Sequence, residues 1–468
     1  MSATVFDSAM FRDAFGTAAM RALFDDDAVI ARYVEVEVAL AAAQAELGVI
    51  PQQAAQAIAR LARPEAIDRA KLKAETELVG YPIVGLVHQL AAMCGEAGRY
   101  LHWGATTQDV MDTATVLQVR DALALVAAVL AALEAALAAL ARRHRATVMA
   151  GRTHLQHALP ITFGYKAAVW LGMITRHRRR LEELRPRVLV GQFAGAAGTL
   201  ASLGDRGLAV HDALMDALRL GRSATPWHVA RDGLAETVCL LGLVCASLAK
   251  IATDVLLLMQ TEVGEAFEPF LAGRGASSTM PQKRNPISCE LIIAAGKLVR
   301  QHVGLMLDAM VADHERATGP WQVEWVALPE AFLATSGALS HARFVLEGLI
   351  VDPVRMRKNL GLSGGLIVAE AVMMALATHV GRQTAHDLVY AACRSALDRD
   401  STLREELLLR PEVTRHLDAQ RLGELTDPAN YLGAAPVMVD RALAGEPRAP
   451  AAPKAKKPPR APRHAAPK

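Results

Sequence analysis

Residues 275–290 read Gly-Ala-Ser-Ser-Thr-Met-Pro-Gln-Lys-Arg-Asn-Pro-Ile-Ser-Cys-Glu (GASSTMPQKRNPISCE), a polar, low-bulk stretch in a chain otherwise built from Ala/Leu-rich runs. Gly273 and Gly275 precede the serines and open backbone conformations that other residues resist, so the segment reads as a closely approaching loop. Asn285-Pro286 predicts an N-cap followed by proline at the first helical position, and the free N–H groups of such a helix start attract anions. Lys283 and Arg284 add positive charge. The combination suits a carboxylate ligand, with Ser277 or Ser278 beside it as proton acceptor. On these features alone, a Ser-rich linker with a solvated basic pair is the competing reading.

The surroundings of this loop are helical. Of 468 residues, 52% are hydrophobic but only 4% aromatic, and alternating Val/Ile/Thr runs are scarce, so an all-α protein with a large core is expected. Leu123, Leu130 and Leu137 recur every seven residues, as do Val126, Leu133 and Leu140, which predicts a long helix packed lengthwise against others. Proline-free stretches between Pro226 and Pro269 and between Pro286 and Pro320 leave room for further long helices of roughly 25 to 40 residues. The expected division is an N-terminal helical domain at 1–113, a central long-helix bundle at 114–354, a C-terminal helical domain at 355–446, and a basic tail at 447–468.

That tail, PRAPAAPKAKKPPRAPRHAAPK, holds seven Lys/Arg and no acid. Taking those seven from the net charge of +3 leaves the other 446 residues at −4. A Pro/Ala/Lys segment buries too little apolar surface to offset its ordering entropy and is expected to be disordered. It is the sole basis for a nucleic-acid-binding reading, the weakest of those considered. Cys94, Cys239, Cys245, Cys289 and Cys393 show no C-x-x-C spacing and predict reduced thiols in a cytoplasmic protein. The N-terminus lacks an apolar signal core. The most apolar run, Ala122 to Ala141, is Ala-rich and broken by Glu134, which argues against a membrane span. No metal or organic cofactor is implied, because His314-Glu315-Arg316 lacks metal-ligand spacing and no glycine-rich dinucleotide motif follows a strand.

Ser277-Ser278-Thr279-Met280-Pro281-Gln282-Lys283-Arg284-Asn285-Pro286 resembles the signature loop of the fumarase/aspartase superfamily, G-S-S-x-M-P-x-K-x-N-P. Thr106-Thr107-Gln108-Asp109 and Thr153-His154-Leu155-Gln156 resemble the family's other signature regions, T-S-x-D and T-H-x-Q, in the same order along the chain. The resemblance covers roughly residues 20–445. It implies a three-domain fold around a central long-helix bundle, and a homotetramer whose active sites are shared between subunits. It also implies a reaction in which a proton next to a carboxylate is removed and a group leaves the neighbouring carbon. By position, Ser277 would be the base, Lys283 and Asn285 would hold the carboxylate that becomes a dianion, and Thr106, Thr107 and Gln156 would bind the other carboxylate. His154 would be the general acid. Such weakly acidic protons demand strong stabilisation of developing charge, which explains the cationic, donor-rich loop.

Further similarities favour the 3-carboxy-cis,cis-muconate cycloisomerase branch and a place in aromatic catabolism. They are the run Gln192 to Thr199, Pro226-Trp227-His228, His314-Glu315-Arg316, the stretch Trp321 to Trp325 with Glu324, and Asp427 to Gly433. His154, where that branch often carries tryptophan, is typical instead of members that release fumarate from a succinyl-amine, so a C–N lyase acting on an iminodisuccinate-like compound or adenylosuccinate is the alternative. Leu47 to Pro51 and Leu360 to Leu366 resemble adenylosuccinate lyase. Its N-terminal R-Y-S-R-P-E-M is missing from Met1 to Asp13, however, and its phosphate-side histidine falls on Leu78. Inactive structural relatives also exist, but retention of Ser277, Lys283, Asn285 and His154 together argues for an enzyme.

Overall fold

The computed structural model describes residues 4–445, so the expected disorder of 447–468 lies outside the described residues. The fold is helical, as expected, with 69% of residues in helices. Five elements dominate: α1 (Asp26–Glu46), and the long helices α2 (Thr107–Arg143), α3 (Phe163–Val188), α4 (Asp232–Met259) and α5 (Ile287–Ala309), joined by a sixth, α6 (Pro320–Glu347). The all-α expectation omits two small antiparallel pairs. β1 (Val148–Thr153) and β2 (Gln156–Thr162) form a hairpin between α2 and α3, and β3 (Ala266–Phe267) pairs with β4 (Ile350–Val351).

Local chemistry sets the helix limits. The Asp109 carboxylate accepts a hydrogen bond from Thr106 N at 3.0 Å at the start of α2, and Arg142 and Arg143 occupy its last turn, where cations complement the helix dipole. Thr162 caps α3 by accepting from Tyr165 N at 3.0 Å. The heptad positions Leu123, Val126, Leu130, Leu133, Leu137 and Leu140 are all buried in one apolar cluster with α3, α4, α5 and α6. Each such side chain contributes about 1.5–3 kcal/mol against its exposed state.

Polar contacts at the two ends fix the direction of the helices. At one end, Arg231, just before α4, binds Asp112 in the first turns of α2 and Glu324 in the first turns of α6. At the other end, Gly164 N at the start of α3 donates to His144 O just past α2. Thus α2, α4 and α6 run one way, and α3 and α5 return. Separate apolar clusters lie among the N-terminal elements with residues 193–220, and among residues 372–422.

By length and composition alone, α2 and α4 are long and apolar enough to cross a membrane. In this fold one face of each helix supplies the bundle core.

Candidate active site

The end of the bundle where α2 starts is held by buried charge. Asp109 and Asp112, three residues apart on one helix face, are each 1% exposed. Asp109 Oδ1 accepts from Ala194 N at 3.0 Å and faces His228 Nε2 at 2.8 Å, while Oδ2 accepts from Gly195 N at 2.9 Å as well as from Thr106 N. One carboxylate thereby ties together the Thr106-Thr107 turn, the 192–195 loop and the 226–228 loop. Gln108 Nε2 donates to His228 O at 2.9 Å, and Arg316 reaches Gln108 Oε1 at 2.8 Å, which brings the His314-Glu315-Arg316 segment to the same place.

Arg231, 3% exposed, donates to both oxygens of Asp112 at 2.7 and 2.9 Å and to Glu324 Oε1 at 2.8 Å. Burial pushes the Glu324 carboxyl above the usual range in spite of Arg231. Next to this assembly, the Glu37 carboxylate holds the His102 ring at 2.6 Å and His102 N at 3.1 Å. Burial works against the His102 imidazolium, but the bond and charge of Glu37 outweigh it and keep the ring above the usual histidine range. Thr106 and Thr107 themselves remain half-buried at the edge of this rigid platform.

The other two loops lie at the opposite end. Thr153 pairs with Gln156 across a two-residue turn whose members, His154 and Leu155, both have positive φ, +50° and +64°. Such a turn prefers Asn-Gly, so a His-Leu pair here is strained backbone. It leaves Thr153, His154, Leu155 and Gln156 exposed.

The signature loop folds back on itself, with Asn285 N donating to Gly275 O at 2.8 Å and Ala276 bridging Arg284. Gly273 and Gly275 take the expected left-handed conformation, φ +80° and +69°, and a Cβ at Gly275 would sit 2.3 Å from Asn285 O. Ser277 Oγ accepts from Met280 N at 3.1 Å and from Thr279 N at 3.3 Å. Lys283 is exposed and no carboxylate pairs with it among the described residues, while Arg284 stacks on Phe270.

One expectation fails here. The helix after the loop begins at Ile287 with Pro286, not Asn285, as its cap. Its first N–H groups are not free for a ligand, because the Glu268 carboxylate accepts from Ser288 N at 3.3 Å and from Cys289 N at 2.7 Å. A buried carboxylate from upstream is the better cap because it neutralises the helix dipole without a bound ligand.

Within one chain, therefore, His154, Gln156, Ser277, Lys283 and Asn285 lie at one end of the bundle and Thr106 and Thr107 at the other. The 37 residues of α2 separate the two ends, about 55 Å at 1.5 Å per residue. Sequence reasoning passed over Asp112, Arg231, Glu265 and Glu268. Asp109 and Asp112, an acid pair at helical spacing within the apolar start of α2, were the available signal for the first of these. Nothing local marks Arg231. All five cysteines are free, and no group of three or more His, Cys, Asp or Glu that could hold a metal occurs among the described residues.

The family model described as "Lyase" matches residues 14–300, and that of the adenylosuccinate lyase C-terminus matches residues 365–442. The chain is 51% identical over 432 residues to trans-aconitate decarboxylase 1 of Mycosarcoma maydis, covering 92% of this chain and 88% of the relative. It is 48% identical over 439 residues to 3-carboxy-cis,cis-muconate cycloisomerase of Pseudomonas aeruginosa, covering 93% and 96%. The crystal structure of a fumarate lyase from Mesorhizobium sp. BNC1 superposes with a TM-score of 0.88 at 57% identity, covering 92% of this chain and 98% of that one.

Proposed function

The chain is an enzyme of the fumarase/aspartase superfamily, and we propose that it acts on a tricarboxylate, most closely in the manner of 3-carboxy-cis,cis-muconate cycloisomerase. In that reaction an internal carboxylate oxygen adds to one carbon of a C=C bond, and the carbon next to another carboxylate takes up a proton. The lactone product has the same atoms as the substrate. In reverse, the step is removal of a proton alpha to a carboxylate with loss of the oxygen from the next carbon. Ser277 carries that proton, Lys283 and Asn285 hold the carboxylate that becomes the dianion, and Thr106, Thr107 and Gln156 hold another. The observation that carries this reading is the pair of backbone N–H groups aimed at Ser277 Oγ beside an unpaired Lys283. Donors so placed favour a serine alkoxide and a growing carboxylate charge, and they need no reorganisation during the reaction.

The long separation of Thr106 from His154 and Ser277 supports shared sites in a homotetramer. So does a second heptad seam left on the surface, in which Leu243 and Leu257 on α4 and Leu298 and Leu305 on α5 remain 36–51% exposed. The five free thiols suit a cytoplasmic setting.

A C–N lyase is the second reading, favoured by one observation: the His154 imidazole is exposed at the tip of a strained turn, placed to act as a general acid toward a departing nitrogen. Incubation with 3-carboxy-cis,cis-muconate, iminodisuccinate and adenylosuccinate separates the two. Lactone formation from the muconate alone supports the first reading. Fumarate release from either amine, abolished in His154→Trp, overturns it in favour of the second.

A further inference from the structure

A cavity of about 360 Å³ opens beside His154, between the β1–β2 hairpin, the first turn of α3 and the last turns of α4, and Arg152, Lys166 and Asp254 are among its walls. Both carboxylates near it are already engaged. Glu265, fully buried, takes Arg152 in a bidentate pair at 2.8 and 2.6 Å and also accepts from Asn359 Nδ2 at 2.7 Å. Asp254 accepts from Trp170 Nε1 at 2.8 Å and pairs with Lys250. Three cations, Arg152, Lys166 and Lys250, therefore face two carboxylates, and Lys166 is left without an ion-pair partner among the described residues.

The position of Lys166 makes that surplus costly to the free protein. It lies in the first turn of α3, where the helix dipole disfavours a cation. Burial presses its ammonium below the usual lysine range, with Lys250 and Arg152 adding to the fall and the Asp254 and Glu265 carboxylates opposing it, and burial and then Arg152 hold the nearby His157 below the usual histidine range. A half-buried, unpaired cation in a cavity gains most from an anion that enters it, because the anion restores the missing partner.

We propose that Lys166, backed by Arg152, forms an additional carboxylate subsite beside His154, and that this subsite selects tricarboxylate over dicarboxylate ligands. The proposal rests on the assignment of His154 to the active site. The relatives named above are a trans-aconitate decarboxylase and a 3-carboxy-cis,cis-muconate cycloisomerase, and both of those named acids carry three carboxylates. Lys283 with Asn285, and Thr106, Thr107 and Gln156, account for two. Lys166 supplies a place for the third.

The test is titration calorimetry on the full-length protein with two unreactive probes, propane-1,2,3-tricarboxylate and succinate. Lys166→Met should weaken the tricarboxylate at least about tenfold and succinate less than about twofold, while Lys166→Arg keeps both within about threefold of wild type. Circular dichroism checks that both variants fold. Equal losses for the two probes, or no loss for either, would overturn the subsite. Binding is read without turnover, so a catalytically idle protein that still discriminates through Lys166 would leave the subsite standing while removing the proposed reaction. Turnover of the muconate at unchanged KM in Lys166→Met would do the reverse.

Discussion

Replacing Arg231 by methionine removes the one cation shared by two buried carboxylates, Asp112 at 1% and Glu324 at 3% exposure. Breaking a buried ion pair by deleting one partner costs about 3–5 kcal/mol, because the remaining charge stays desolvated. Here two carboxylates are stranded, so the upper end, about 5 kcal/mol, is expected. In urea unfolding followed by circular dichroism, the first transition should fall by on the order of 1 M.

The pH dependence carries the sharper sign. A carboxyl whose folded pKa exceeds its unfolded one contributes stability that is complete below the unfolded value and is lost as pH rises through the folded value. Glu324 is already raised by burial, and loss of Arg231 takes away the charge that opposed that rise. The deficit of the variant should therefore shrink on acidification as the stranded Glu324 carboxylate takes up a proton. The triple variant Arg231→Met, Asp112→Asn, Glu324→Gln should recover most of the lost stability. A deficit below about 1 kcal/mol, or one that grows on acidification, would refute the claim that this network is a charge-compensated support for the Thr106 platform.

Ser277→Ala and Lys283→Met should each remove nearly all turnover and leave the helical circular dichroism unchanged, since both side chains lie on a loop outside the core; a wild-type rate in either would remove the loop from the chemistry. Light scattering at micromolar concentration should give a tetramer, and a monomer there would contradict shared sites. Deleting residues 447–468 should change neither oligomeric state nor turnover, so a large loss of either would reveal a contact made by that segment.

Legibility in the sequence followed the range of the interaction. Short-range signals sufficed for the helical class, for the α2 seam at Leu123 to Leu140, and for the left-handed glycines 273 and 275. Each of these is written into spacing within a few turns of chain. The failed cap at Asn285 shows where that stops: the N–H groups after Pro286 had a better acceptor in Glu268, a residue whose role depends on how the chain folds back. Arg231 is similar. Its burial makes sense only once α2 and α6 present Asp112 and Glu324 to it across 119 and 93 residues of chain. Lys166 carries no motif at all, and its unpaired state follows from Asp254 and Glu265 being taken by other partners. Sequence alone supplied the candidates for chemistry, because reactivity resides in the side chain and its near neighbours. Tertiary structure alone decided which charges are compensated and which end of the bundle each loop occupies, because burial and a helix about 55 Å long are properties of the packed chain.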